Sequence, residues 1–139
     1  MKEQTLLMIK PDAVRARRIG KILDQVEQVF QIVGLRMKRF QRDEAERFYA
    51  VHRGKPFFET LVDFITSGPV VGVLLEGEGV IQKLRDFIGA TDPAKAAPGT
   101  IRALYGTSIT ENAVHASDSP ESAAYEIPFF FNEEERRAA

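Results

Sequence analysis

Val70-Val71-Gly72-Val73-Leu74-Leu75 is an unbroken apolar run set between Pro69 and Glu76. Successive side chains of a strand point to opposite faces, so such a run predicts a central strand covered on at least one face. Upstream, residues 5–9 (Thr-Leu-Leu-Met-Ile) form a second short strand, stopped where Pro11 has no N–H to give to a ladder, which leaves Lys10 at a strand end. Between the two, Ile19, Ile22, Leu23, Val26, Val29, Phe30 and Val33 recur at helical spacing, with Gly34 placed as a left-handed cap. Residues 35–40 alternate apolar and basic side chains, as a strand with one solvated face does. Residues 43–52 and 56–66 read as a hairpin of two short helices, the second opening near Pro56 and ending before Ser67-Gly68-Pro69.

Downstream of the run, residues 80–88 predict a helix. Residues 89–105 carry Gly, Asp-Pro and Pro-Gly without periodicity, which predicts a long ordered loop or a set of short turns, the kind of segment that carries function. Residues 113–116 read as a last short strand. Asp118-Ser119-Pro120-Glu121 then opens a helix with a capping side chain, a proline in the first turn and an early acid. This order predicts an α/β protein of the α+β kind: a ferredoxin-like βαββαβ sandwich with helices on one side of a four-stranded antiparallel sheet, and a long loop before the last strand. No repeat or shift in composition divides the chain, so residues 1–139 read as one domain.

Composition narrows the function. A formal net charge of −1 provides no global positive field for gathering nucleic acid, so any anion site must be built locally. The absence of Cys excludes disulfides, thiolate metal sites and a cysteine nucleophile, and it fits a reducing compartment, so a cytoplasmic location is expected. No stretch approaches the ~20 apolar residues of a membrane span, and the apolar run near the N-terminus breaks too early for a signal peptide, so no membrane partner is expected. Neither GxxxxGK[ST] nor GxGxxG occurs; Gly77-Glu78-Gly79 lacks the third glycine. With two His and no HExxH, a zinc site built by the protein is not expected, and any metal arrives with a substrate.

His115 falls where the last strand meets a helix N-terminus, beside the small residues Ala116 and Ser117. Free N–H groups and positive potential at such a junction suit a transferring phosphoryl group. Glu126, eight residues beyond Asp118, reaches the imidazole if that helix packs back over the strand, and a carboxylate there fixes the tautomer and raises ring basicity. Phosphoryl transfer otherwise needs positioning and cations. Lys10, Arg85 and Arg102 are the candidates. Taken singly, each of these residues has a plainer reading: a structural histidine, a solvated acid, surface charges.

Six segments change that balance. Lys10-Pro11-Asp12, Pro56-Phe57-Phe58, Ser67-Gly68-Pro69-Val70-Val71, Gly89-Ala90-Thr91-Asp92-Pro93, Pro98-Gly99-Thr100-Ile101-Arg102 and Asn112-Ala113-Val114-His115-Ala116-Ser117-Asp118-Ser119 together resemble nucleoside diphosphate kinases, in order along nearly the whole chain. The stretch around His115 resembles the family's active-site signature. The resemblance implies ping-pong chemistry: His115 takes the γ-phosphate of a donor such as ATP and passes it to an acceptor diphosphate. It implies Mg²⁺ bound through the nucleotide phosphates, with no protein side chain assigned as a metal ligand.

In the same carry-over Glu126 and Ser117 orient the histidine and Tyr49 supports the site. Lys10, Arg85, Thr91 and Arg102 bind phosphates, and Lys10 with Asn112 reaches the ribose. Phe57 stacks on the base with Ile109 on the other face, and because every base offers a π-face, broad base tolerance follows. His52, Met8 and Met37 match no functional position and are read as packing or surface. Ala103-Leu104-Tyr105 departs from the family pattern, where a salt bridge is expected to be lost. Implied partners are nucleoside di- and triphosphates and further copies of the chain, as tetramer or hexamer. The rival readings are a non-catalytic nucleotide-binding module and a sheet platform for nucleic acid; against the second stand the balanced charge and the lack of an aromatic-rich strand motif.

Overall fold

The structure, a computed structural model, describes residues 2–137. In chain order it contains β1 (Lys2–Ile9), α1 (Pro11–Arg15), α2 (Ile19–Val29), β2 (Gln31–Lys38), α3 (Arg42–Phe48), α4 (Phe58–Ile65), β3 (Val70–Glu78), α5 (Val80–Ile88), α6 (Ile101–Tyr105), β4 (Val114–Ala116), α7 (Pro120–Glu126) and α8 (Glu133–Arg137), with 3₁₀ turns at Ala50–His52, Pro93–Lys95 and Ile127–Phe129. The sheet order is β2-β3-β1-β4 and every neighbouring pair is antiparallel. The expected four-stranded ferredoxin-like sandwich is therefore present.

The apolar run at 70–75 is the inner strand expected. β3 lies between β2 and β1, and its residues Val73, Leu74 and Leu75 are fully buried. Alternation then sorts the core. Leu7, Ile9, Val71, Val73 and Leu75 pack with Ile22 and Val26 of α2 and Val80, Leu84 and Ile88 of α5. Leu6, Met8 and Leu74 face the other way, onto Phe48 of α3, Val62 and Ile65 of α4, Ala123 of α7, and Phe130 and Phe131. Helices thus cover both faces, where the sequence predicted one. Burying a Leu or Ile side chain stabilises by roughly 1.5–3 kcal/mol, so two such layers on one sheet supply the main driving force.

The helix expected to run to Val33 ends at Val29, and Phe30 is already extended. Phe30 and Ile32 turn to one core layer and Val33 to the other. These residues satisfy a period of two as well as one of 3.6, and the ladder bonds to β3 at Gln31↔Glu76 and Ile32↔Leu75 decide for strand. Gly34 is therefore no helix cap. It follows a bulge in β2, where an added Cβ would stand 2.9 Å from the Phe131 ring. The strand expected at 35–40 is this one, shifted to end at Lys38, and the helix expected at 43–52 stops at Phe48. Pro11 both ends β1 and starts α1, since a first helical residue needs no N–H. The segment 89–105 resolves into a 3₁₀ turn and α6, capped by the Thr100 hydroxyl accepting from Ala103 N–H.

Candidate functional site

The site grows from β4, three residues long at the edge of the sheet. Lys10 N–H donates to Ala113 C=O and Ser117 N–H donates to Leu6 C=O, so positions 113, 115 and 117 turn their backbone groups toward β1. The carbonyls of Val114 and Ala116 therefore point away from the sheet. Arg102 takes the first (Nη2 to O, 2.9 Å) and Arg85 the second (Nη1 to O, 3.2 Å). An unpaired strand edge thus fixes two guanidinium groups, and Arg102 also donates to Gly89 C=O at 3.1 Å. Burial, then the adjacent Arg85 charge, pulls Arg102 down to about 10, which still leaves it cationic at neutral pH.

Side-chain alternation places Val114 and Ala116 in the core and His115 on the opposite face, level with Met8. There His115 meets α7. Its Nε2 lies 2.8 Å from Glu126 Oε1, and the Ser117 hydroxyl donates to the same oxygen at 2.6 Å. Burial pushes the Glu126 carboxyl up, but the imidazole charge and the hydrogen bonds from His115 and Ser117 outweigh it and hold the group below its ordinary value. Phe48 and Tyr49 meet the imidazole edge to face, at interplanar angles of 68° and 86° with centroids 5.5 and 6.5 Å away. Burial, and then the Glu126 charge, raises the Tyr49 phenol far above its ordinary range, so it stays neutral.

Lys10 is buried at the end of β1 and donates to Thr110 C=O at 2.9 Å and to Asn112 Oδ1 at 3.0 Å. Burial pulls its ammonium down to about 8, Asp12 opposing, Arg102 adding to the pull and Glu111 opposing. Asn112 in turn donates to Thr91 C=O at 2.9 Å.

One cleft of about 1110 Å³ gathers Lys10, Tyr49, Phe57, Arg85, Thr91, Arg102, Ile109, Asn112, His115 and Glu126. Ser117 is the one expected site residue outside its lining; it is fully buried behind Glu126. Phe57 is 45% exposed and Ile109 61%, whereas Phe58 packs against the core. His52, read from sequence as packing or surface, belongs to the cleft wall, its ring centroid 5.2 Å from that of Phe57. Met8 is core and Met37 surface. Tyr105, in the segment that departs from the family pattern, lies under the Arg18 guanidinium at 5.4 Å. Sequence reasoning also missed Asp12 and Phe48: Asp12 is visible only as the acid two residues after Lys10, and Phe48 only as the neighbour of Tyr49.

The nucleoside diphosphate kinase family model matches residues 3–136. The chain is similar to the nucleoside diphosphate kinase of Bordetella pertussis, 57% identical over 132 residues covering 94% of each chain, and to that of Persephonella marina, 50% identical over 131 residues with the same coverage. Among solved structures it superposes on the Aquifex aeolicus nucleoside diphosphate kinase with a TM-score of 0.93 at 51% identity, covering 97% of this chain and 99% of that one. A nucleoside diphosphate kinase of Halobacterium salinarum in complex with CDP gives 0.92 at 40% identity, covering 97% and 91%.

Proposed function

Since the chain belongs to the nucleoside diphosphate kinase family and has that phosphotransferase activity, we propose that its phosphoryl group travels through the Nδ1 atom of His115 in two half-reactions. One observation carries the reading: a histidine held by an ionised carboxylate in a cleft where Lys10, Arg85 and Arg102 converge. An ionised Glu126 can only accept, so both Ser117 O–H and His115 Nε2–H donate to it. The proton on Nε2 leaves the Nδ1 lone pair as nucleophile. That pair forms the N–P bond to the γ-phosphorus while the bond to the bridging oxygen breaks and the diphosphate departs. The acceptor diphosphate reverses the step. As Nδ1 gains phosphorus the ring becomes cationic, and Glu126 stabilises that charge.

Arg85, Arg102, Thr91 and Lys10 bind the phosphates, Lys10 and Asn112 hold the ribose, Tyr49 shields the imidazole, and Phe57 with Ile109 sandwiches the base. Among the described residues no group of three or more His, Asp or Glu side chains could hold a metal. Mg²⁺ would arrive with the nucleotide and would supply charge neutralisation on the phosphates beside Lys10, Arg85 and Arg102. Further copies of the chain assemble on this fold; the unpaired edge of β2, with Leu35 and Met37 each 54% exposed, supports a homo-oligomer. No helix among the described residues is long and apolar enough to cross a membrane, and with no Cys in the chain we place the protein in the cytoplasm.

Mass spectrometry after brief incubation with ATP and Mg²⁺ tests the reading. Wild type should gain one phosphate on His115 and lose it on addition of GDP or CDP, and His115→Ala should gain none. Labelling that persists in His115→Ala, or fails in folded wild type, refutes the phosphohistidine route.

A further inference from the structure

The residue before β4 breaks a backbone rule. Ala113 has φ 75, a conformation that L residues other than glycine rarely adopt. Val114 N–H donates to Asn112 C=O at 2.9 Å across it, which closes a three-residue γ-turn of the rare, strained, positive-φ kind. Nothing within Asn112-Ala113-Val114 itself favours that turn. It is held from outside, at both polar groups of its central residue. Lys10 N–H donates to Ala113 C=O at 2.9 Å, and Ala113 N–H donates to Asp12 Oδ2 at 3.0 Å. Strain kept in place by surrounding contacts is found where a site must be aimed.

What the turn aims is the proposed reaction centre. Asn112, on its near side, accepts from the Lys10 ammonium. Val114, on its far side, gives its carbonyl to Arg102, and His115 follows. A swing at Ala113 would move the ribose amide, the anchor of a phosphate-binding guanidinium and the nucleophile together.

Resting on the phosphohistidine reading, we propose that Asp12 is a positioning residue for phosphoryl transfer: its carboxylate clamps the strained turn at Ala113 and at the same time serves as the counter-charge of Lys10. The second part follows from surroundings. The groups facing the buried Lys10 ammonium are Asp12, Arg102 and Glu111, with Arg15 sharing the Phe64 ring on which Lys10 also rests. Asp12 and Lys10 hold the two polar groups of the same residue, Ala113, and from that place the Asp12 carboxylate sets a negative charge near the ammonium that opposes the effect of its burial. Burial pushes the Asp12 carboxyl itself up, against the pull of Ala113 N–H, the Lys10 charge and the backbone N–H groups of Ala13 and Asp12.

Three variants and wild type, assayed for steady-state transfer from ATP to dTDP across pH, decide the matter. Asp12→Ala should lower kcat/KM by about tenfold or more, the usual weight of one hydrogen bond to a charged acceptor. Adding Ala113→Gly, which removes the steric cost of the positive φ, should restore much of that loss. Asp12→Asn keeps an acceptor for Ala113 but loses the charge, and should move the basic limb of kcat/KM to lower pH by roughly one unit. Asp12→Ala within twofold of wild type, or a double variant no better than Asp12→Ala, overturns the clamp. If Asp12→Ala does not fold, Asp12→Asn carries the test alone, and an unmoved basic limb overturns the proposal. Wild type that takes no phosphate on His115 sinks the underlying reading instead, so the two failures are told apart.

Discussion

Glu126→Gln isolates what the carboxylate does for His115. In wild type a single oxygen, Oε1, accepts from Nε2 at 2.8 Å and from Ser117 at 2.6 Å, in a setting where the Glu126 side chain is only 13% exposed. A hydrogen bond to a charged group contributes ~1.5–3 kcal/mol and a neutral one ~0.5–1.5, so the amide forfeits about 1–2 kcal/mol of support for the imidazolium that forms on phosphorylation. That corresponds to a loss of roughly 5- to 30-fold in the rate of the first half-reaction. The loss is larger if the amide presents its NH₂ to the ring, because Nε2 must then accept and the proton moves to Nδ1, removing the nucleophile. Rapid-quench measurement of His115 labelling by ATP and Mg²⁺ gives the rate, and equilibrium binding of ADP gives affinity separately. The expected result is slowed labelling with ADP affinity unchanged. A rate within twofold of wild type, or a loss found wholly in affinity, refutes the argument. The same contact has a pH signature. A carboxyl held below its ordinary value contributes stability that is present above the unfolded value and is lost as pH falls through the lower, folded one. Glu126→Gln should abolish that acid-side dependence in denaturant titrations.

Lys10→Met should abolish transfer and flatten the alkaline stability profile. The folded Lys10 titrates near 8 and the unfolded near 10.5, so the unfolded state binds more protons between them and wild-type stability rises with pH across that window, by up to about 3 kcal/mol, as chemical denaturation at pH 7 and pH 10 would show. Phe57→Ala should raise KM for nucleotides of every base by about 5- to 150-fold, the ~1–3 kcal/mol of a lost stacking partner, while labelling at saturating ATP stays near wild type; an unchanged KM would remove Phe57 from the base site. Gly72→Ala would place a Cβ 2.3 Å from Phe130 Cδ1 across a full core layer, so urea denaturation should show destabilisation of about 1–3 kcal/mol or more.

How much of this was legible in the sequence depends on whether the deciding partner is near in the chain. The helix at Val80–Ile88 was fixed by its own periodicity and was found where the spacing put it. The end of α2 was not, because residues 30–33 fit two periods and only β3, some forty positions later, chose between them. His115 could be singled out from its local setting, a strand end before a capped helix. The grouping of Arg85 with Arg102 could not, since it is imposed by the outward carbonyls of Val114 and Ala116, which belong to the ladder and not to any side-chain pattern. Asp12 was hidden for the same reason: its partner Ala113 lies 101 positions away.

The shortness of β4 is what lets one element serve both the sheet and the site. A longer edge strand would offer a row of free carbonyls and invite pairing with another chain. Here the turn at Ala113 closes the strand on one side and α7 begins four residues after its other end, so only two carbonyls face outward, and each has an arginine. Those bonds satisfy the edge and orient the cations in the same stroke. The alternation that buries Val114 and Ala116 leaves His115 no direction except toward Glu126. The proposed nucleophile and the cations around it are therefore set by one register, the pairing of Met8 with His115, and a slip of a single residue in it would exchange the faces and lose both together.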